Sequence, residues 1–270
     1  MRLRHALAPL AAASLAVAFG ASAPASAAGW APAATATVHP GVMTYTAGAQ
    51  CTANFVFQAA GVTYLGQAAH CSGTGAATDT NGCTAQSLPL GTAVEVAGFT
   101  GTMVYNSWLA MQAAHETDAE TCAYNDLALI QLPAAAVAVT NPSVPVYGGP
   151  VGLGTTAATG SSVYSYGNSS LRLGLSPLSP KRGVAISTTP GAWSTTVYTV
   201  TPGIPGDSGS GFLDSTGKAI GVLSTVAIAP LPASNNIGNV AKEIGYASAH
   251  GVGGLVLVPG TEAFDASALL

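Results

Sequence analysis

Gly206-Asp207-Ser208-Gly209-Ser210-Gly211 decides how the rest of this 270-residue chain is read. A serine hydroxyl is a weak nucleophile at neutral pH and needs a base beside it. Flanking glycines leave the Ser208 hydroxyl exposed on a tight turn and let a carbonyl approach backbone N–H groups. The stretch therefore demands a His to take the proton and an Asp to hold that His. Both occur upstream, in Ala68-Ala69-His70-Cys71 and in Asn125-Asp126-Leu127-Ala128-Leu129-Ile130. An Asp leading straight into an apolar run is costly unless something pairs it, and His70 would be the partner of Asp126. His39, His115 and His250 have no such context.

The chain order His, Asp, Ser separates these blocks from those of subtilisins and α/β-hydrolases. The three blocks resemble those of the chymotrypsin-like (trypsin-like) serine peptidases, and within them the secreted bacterial type. The resemblance runs over most of the chain from Gly41 onward, with one departure: Ser210 stands where the family usually has Gly. It implies an all-β fold of two packed six-stranded antiparallel β-barrels with a C-terminal helix. His70 and Asp126 would come from the first barrel and Ser208 from the second, with the site in the cleft between them. The implied activity is peptide-bond hydrolysis through an acyl-enzyme, with the backbone N–H groups of Gly206 and Ser208 as the oxyanion hole. Secreted bacterial members pair the residue matching Asp207 with an internal Arg. Only Arg172 and Arg182 lie outside the leader, and Arg172 is the first candidate. The implied partners are polypeptide substrates and protein inhibitors of a monomeric enzyme, with no cofactor and no metal.

The resemblance also places a specificity pocket at Pro202 and at Ser224, Thr225 and Val226. No carboxylate lies in residues 201–205, so a basic substrate side chain would find no partner there. Leu223 lacks the imidazole that glutamate-specific relatives use. Val226 stands where relatives with wide pockets have Gly. Cleavage after small or medium apolar residues is therefore expected.

Composition fits this reading. Only 7% of residues are charged, while Gly (33) and Pro (17) are plentiful, which suits a turn-rich β protein and argues against disorder and coiled coil. Arg2 and Arg4 precede an apolar run over 6–19, and Ala25-Ser26-Ala27 fits a signal-peptidase site. Residues 1–27 read as a signal peptide, too short and wrongly flanked for a membrane span. The mature protein is expected to be secreted, with no later segment to hold it in a membrane. Without Arg2 and Arg4 the seven basic residues fall to five against eleven acidic, a balance of −6. With no basic stripe, nucleic acid is not an expected partner.

Four cysteines in an exported chain read as two disulfides, with three pairings open and no CxxC to suggest zinc. The resemblance favours Cys51–Cys71, the bridge that clamps the catalytic His, which leaves Cys83 with Cys122.

Taken in order, residues 28–40 read as a short pro-segment or flexible arm, 41–132 as the first barrel, 133–150 as a linker and 151–270 as the second barrel with its helix. Runs at 51–60 and 61–69 flank Gly61 as a hairpin. Further strands are expected at 91–96, 102–105, 126–132, 161–167, 183–188, 193–201, 210–213 and 218–226. Residues 108–115 read as a short helical turn, and Asn239 as the cap of a helix reaching His250. Glu116, Asp118 and Glu120 form an acidic loop, read as solvated with calcium binding as the minority alternative. Residues 253–270 carry no clear pattern.

Two other motifs fail on context. Gly152-Leu153-Gly154-Thr155-Thr156-Ala157 fits a dinucleotide fingerprint, yet no acidic residue lies between Asp126 and Asp207 to hold a ribose. Gly206-Asp207-Ser208 also opens the block of GDSL-type esterases, but sits far from the N-terminus and lacks a following Asp-x-x-His. The alternative to a peptidase is a non-catalytic binding or adhesion protein on the same fold.

Overall fold

The computed structural model describes residues 29–76, 78–226 and 232–268. The signal peptide read at 1–27 lies outside them. Fourteen strands follow in chain order: β1 (Met43–Thr46), β2 (Ala49–Thr52), β3 (Val56–Ala59), β4 (Val62–Ala68), β5 (Ala93–Val96), β6 (Phe99–Asn106), β7 (Leu127–Gln131), β8 (Ser162–Tyr166), β9 (Pro180–Thr188), β10 (Ser194–Thr199), β11 (Gly211–Asp214), β12 (Ala219–Val226), β13 (Asn235–Asn239) and β14 (Val256–Leu257). Four helices accompany them: α1 (Ser107–Ala113), α2 (Ala119–Tyr124), α3 (Ala134–Val137) and α4 (Val240–His250).

The first half is an eight-stranded antiparallel sheet in the order β14-β3-β4-β7-β6-β5-β1-β2. Its end strand β2 runs straight into β3, the strand next to the other end, through Ala53-Asn54-Phe55. The four steps from Thr52 to Val56 reach at most about 14 Å, so the sheet must curl until β2 comes back beside the start of β3. The backbone shows the switch. Ala53 N–H donates to Val42 beside β1, and the next residue, Asn54, donates to Gly66 in β4. Six strands were expected here. The sheet counts eight because the 49–59 run is split in two and because β14 arrives from the C-terminal tail.

The second half is a closed six-stranded barrel, β10-β13-β12-β11-β8-β9. Its lining residues, among them Val163, Ala185, Val197, Phe212, Leu223 and Ile237, are buried and come from all six strands. The first barrel has its own apolar filling around Val56, Leu65, Val94, Met103 and Ile130. A third cluster joins the barrels, with Phe55 and Leu129 from one meeting Tyr164, Leu213 and Val222 from the other.

Residues 29–38 pack rather than trail. Val38 is fully buried and bridges Thr140, and Ala31 N–H donates to the Thr140 carbonyl. α4 begins where expected, the Asn239 side chain accepting from the N–H groups of Ala241 and Lys242. No helix among the described residues is long and apolar enough to cross a membrane.

Candidate active site

β4 and β7 are neighbours, with Ala68 paired to Leu127. The chain leaves β4 in a 3₁₀ turn, Ala69–Ser72, that carries His70, and enters β7 directly after Asp126. The register thus sets the two residues side by side. Asp126 is 2% exposed and collects three donors. Its Oδ1 accepts from His70 N–H at 2.9 Å, and its Oδ2 accepts from His70 Nδ1 at 2.7 Å and from Ser224 Oγ at 2.6 Å. With Nδ1–H committed to Asp126, Nε2 is the ring nitrogen left to accept a proton. Burial works against a charged imidazole, but the Asp126 charge and hydrogen bond outweigh it and raise the His70 pKa above 6.5.

Ser208 sits on the turn before β11 and is tied to the first barrel through β2. Thr52 N–H donates to the Ser208 carbonyl at 2.8 Å, and Thr52 Oγ1 to the Gly206 carbonyl at 2.7 Å. The disulfide Cys51–Cys71 joins the neighbour of Thr52 to the neighbour of His70. The residue after the serine must be glycine: at Gly209 (φ +90°) a Cβ would stand 2.6 Å from the Thr52 carbonyl and 2.7 Å from Ala68 N. Thus the turn seats directly on the end of β4, next to the His70 turn. The structure pairs His70 with Asp126, while the Ser208 hydroxyl makes no hydrogen bond to the imidazole. Among the described residues, neither Gly206 N–H nor Ser208 N–H has a protein acceptor.

Asp207 points the other way, into the second barrel, and is fully buried. Its Oδ1 accepts from Ser169 N–H, and its Oδ2 from Ile204 N–H, Arg172 Nη2 and Lys181 Nζ, the last at 2.9 Å. Arg172 is therefore beside Asp207. Arg182, the other candidate, lies over the Tyr164 ring.

No protein-family model matches the chain, and no curated protein matches it in sequence. Solved structures do match in shape. Thermobifida fusca protease A aligns with a TM-score of 0.54 at 19% identity, over 83% of this chain and 99% of its own. A Nocardiopsis protease gives 0.51 at 17% identity, over 82% and 98%. A glutamic acid specific serine protease gives 0.52 at 16% identity, over 82% and 100%. The fold is that of the chymotrypsin-like serine proteases.

On this chymotrypsin-like fold the inter-barrel cleft has a volume of about 580 Å³. His70, Trp108 and Asp79 line it from one barrel, and Pro205, Ser224 and Thr225 from the other. Ser224 and Thr225, read as pocket residues, thus share the cleft with His70, and Ser224 is also bonded to Asp126. Pro202 is turned inward, its carbonyl accepting from Arg172 Nη2 and Lys181 Nζ. The side chain of Val226 lies outside the described residues. Ser210 is fully buried with its Oγ unpartnered.

Three features escaped the sequence reading. Lys181 is fully buried, all three Nζ donors being used by Asp207, Thr201 O and Pro202 O. Burial lowers its pKa against the pull of Asp207. Ser224 was placed in the pocket and not on Asp126. Glu243 on α4 accepts the Asp126 main-chain N–H. No local motif marks any of the three.

The second disulfide, Cys83–Cys122, fastens the loop after His70 to α2. The acidic trio does not converge. Glu116 takes the N–H groups of Thr117 and Asp118, Asp118 caps α2 at Thr121, and Glu120 reaches Thr189 Oγ1 and Gly191 N–H. Among the described residues the one metal-like cluster is Cys51, His70 and Cys71, whose sulfurs are spent in the disulfide.

Proposed function

We propose that this protein is a secreted serine endopeptidase with His70, Asp126 and Ser208 as its triad. The buried Asp126 carboxylate bonded to His70 Nδ1, beside a serine turn seated on the same strand end, is the observation that carries the reading. His70 Nε2 takes the proton of Ser208 Oγ as the oxygen attacks the peptide carbonyl. Asp126 stays ionised and stabilises the imidazolium. The free N–H groups of Gly206 and Ser208 receive the developing oxyanion, a donor of this kind being worth about 3 kcal/mol in the transition state. The imidazolium returns its proton to the leaving amine, and water releases the acyl group by the same route. Hydrogen-bond geometry between nucleophile and base is commonly loose before substrate binds and tightens in the complex.

Preference for small or medium apolar residues before the scissile bond is part of the proposal. The segment 201–205 offers no carboxylate, and its Thr201 and Pro202 carbonyls are engaged inward by Lys181. A fluorophosphonate probe should label the wild-type protein and leave Ser208→Ala unlabelled. Chromogenic peptides ending in Ala or Leu should turn over faster than those ending in Arg or Glu. A wild-type protein that takes no label and cleaves no peptide would leave the binding-protein reading in its place.

A further inference from the structure

The carboxyl of Glu243 lies directly behind Asp126. Glu243 sits in the first turn of α4 and is fully buried. Its Oε1 accepts the main-chain N–H of Asp126 at 3.1 Å, and its Oε2 has no partner among the described residues. The space for it is made by Gly238 on β13: a Cβ there would stand 2.4 Å from Glu243 Oε1 and 2.6 Å from the Tyr124 carbonyl oxygen. Among the described residues no cation answers this carboxyl: the ion pairs are His70–Asp126, Arg172–Asp207 and Lys181–Asp207. The groups that face it are all acids: the Asp126 carboxylate ahead of β7 and the Tyr105 hydroxyl on β6, with Tyr246 of α4 next to Tyr105.

We propose that Glu243 is a positioning residue for the triad: its carboxyl, presented by the C-terminal helix, holds the main-chain N–H of Asp126 and so aims the Asp126 carboxylate at His70. This rests on the triad reading above. Glu243 does its work as a neutral acid. Burial pushes its pKa well above the ordinary 4.5; the hydrogen bond from Asp126 opposes that shift and the Asp126 charge adds to it. A neutral carboxyl supplies an acceptor oxygen without a second negative charge beside the first. Through it the helix that follows the second barrel reaches the Asp126 main chain of the first. A glutamine would supply the same oxygen, and a leucine would leave the buried Asp126 N–H without an acceptor.

A raised carboxyl pKa has a definite sign in stability. The folded protein keeps a proton that the unfolded chain releases, so stability falls as pH rises above about 4.5, until the folded group itself titrates. Glu243→Gln removes that titration.

The test compares wild type, Glu243→Gln and Glu243→Leu in three measurements. Fluorophosphonate labelling of the wild type comes first: no label overturns the triad reading and this inference with it, while a labelled wild type leaves the variants to judge Glu243 alone. Peptide hydrolysis against pH comes second. Glu243→Gln should keep kcat within about threefold and leave the acid limb in place. Glu243→Leu should lose kcat by ten- to a hundredfold at similar KM and move the acid limb down, because Asp126 no longer holds the imidazolium as well. Thermal unfolding from pH 5 to 8 comes third. Glu243→Gln should melt at the higher temperature, with the gap over wild type widening as pH rises. The inference is overturned if Glu243→Gln loses activity thirtyfold, or if its melting follows the wild-type pH dependence. A folded Glu243→Leu with wild-type kcat and acid limb overturns it as well. The first two outcomes need no folded leucine variant.

Discussion

At the level of single residues, electrostatics decides what the site can do. Asp126 holds the His70 imidazolium, so the acid limb of activity should fall above pH 6.5, the unperturbed histidine value. In the proposed mechanism the base is the neutral imidazole, and the His70–Asp126 pair adds stability that is complete below about 6.5 and lost as pH rises through the raised folded value. Asp126→Asn should bring the limb down and cut kcat by about 10⁴, as loss of the orienting carboxylate does in such triads; a kcat/KM profile over pH 5–9 checks both. The Asp207 cluster makes a second case. Two buried cations share one buried carboxylate. Removing Lys181 leaves a neutral Arg172–Asp207 pair, whereas neutralising Asp207 strands two like charges. Asp207→Asn should therefore cost about 3–5 kcal/mol. Lys181→Met should cost about 1–3 kcal/mol, the loss of its hydrogen bonds. Guanidinium unfolding of both variants measures the difference, and an equal loss would contradict it. These residues also show the limits of sequence. Arg172 could be singled out because two arginines remained to choose from. Lys181, adjacent to Arg182, looks like half of a surface basic pair, and only its packing shows that it is the buried one.

At the level of elements, short strands are held in place by cross-links as much as by pairing. β2 has four residues, yet it bonds β1, carries Thr52 to the Ser208 turn and bears Cys51. Its bridge to Cys71 closes 20 residues of chain, worth about 3 kcal/mol on the loop-entropy account. Replacing both cysteines by Ala should cost that much in denaturant unfolding and should also lower kcat, since the bridge ties the neighbours of His70 and Thr52 together. Unchanged kcat in the folded variant would show that β-pairing alone fixes their spacing. Elements with strong local patterns were legible: β4, β7, β11, β12 and α4 match their expected runs. β13 was not. Its sequence, Asn-Asn-Ile-Gly-Asn, has poor strand propensity. It is a strand because β10 and β12 pair with it on both sides and because Asn235 bonds Gly203 from within. α2 was hidden for a different reason, its acidic residues reading as loop although Asp118 is its cap.

At the level of the whole molecule, the last stretch of chain locks the two barrels together. After α4 it adds β14 to β3 in the first barrel, then runs past Ser143, Tyr147 and Gly149 before Phe264 packs on Tyr164 in the second. Leu255 and Val258 are buried on the way, worth about 1.5–3 kcal/mol each. Deleting residues 252–270 should therefore lower stability by several kcal/mol or prevent folding, which circular dichroism and thermal melting would read; a truncated chain that melts as wild type does would contradict it. The sequence by itself determined the order of the His70, Asp126 and Ser208 blocks, the presence of two disulfides and the β class. Those signals are local, for a nucleophile turn, a strand end and an alternating run each show in a few adjacent letters. The tertiary structure decided what depends on distant contacts: which strand edges meet, where residues 253–268 go, that Ser224 and Glu243 converge on Asp126, and that Lys181 is buried. The physical reason is that a buried partner is chosen by packing and by the cost of an unpaired charge, and neither leaves a mark on neighbouring residues in the chain.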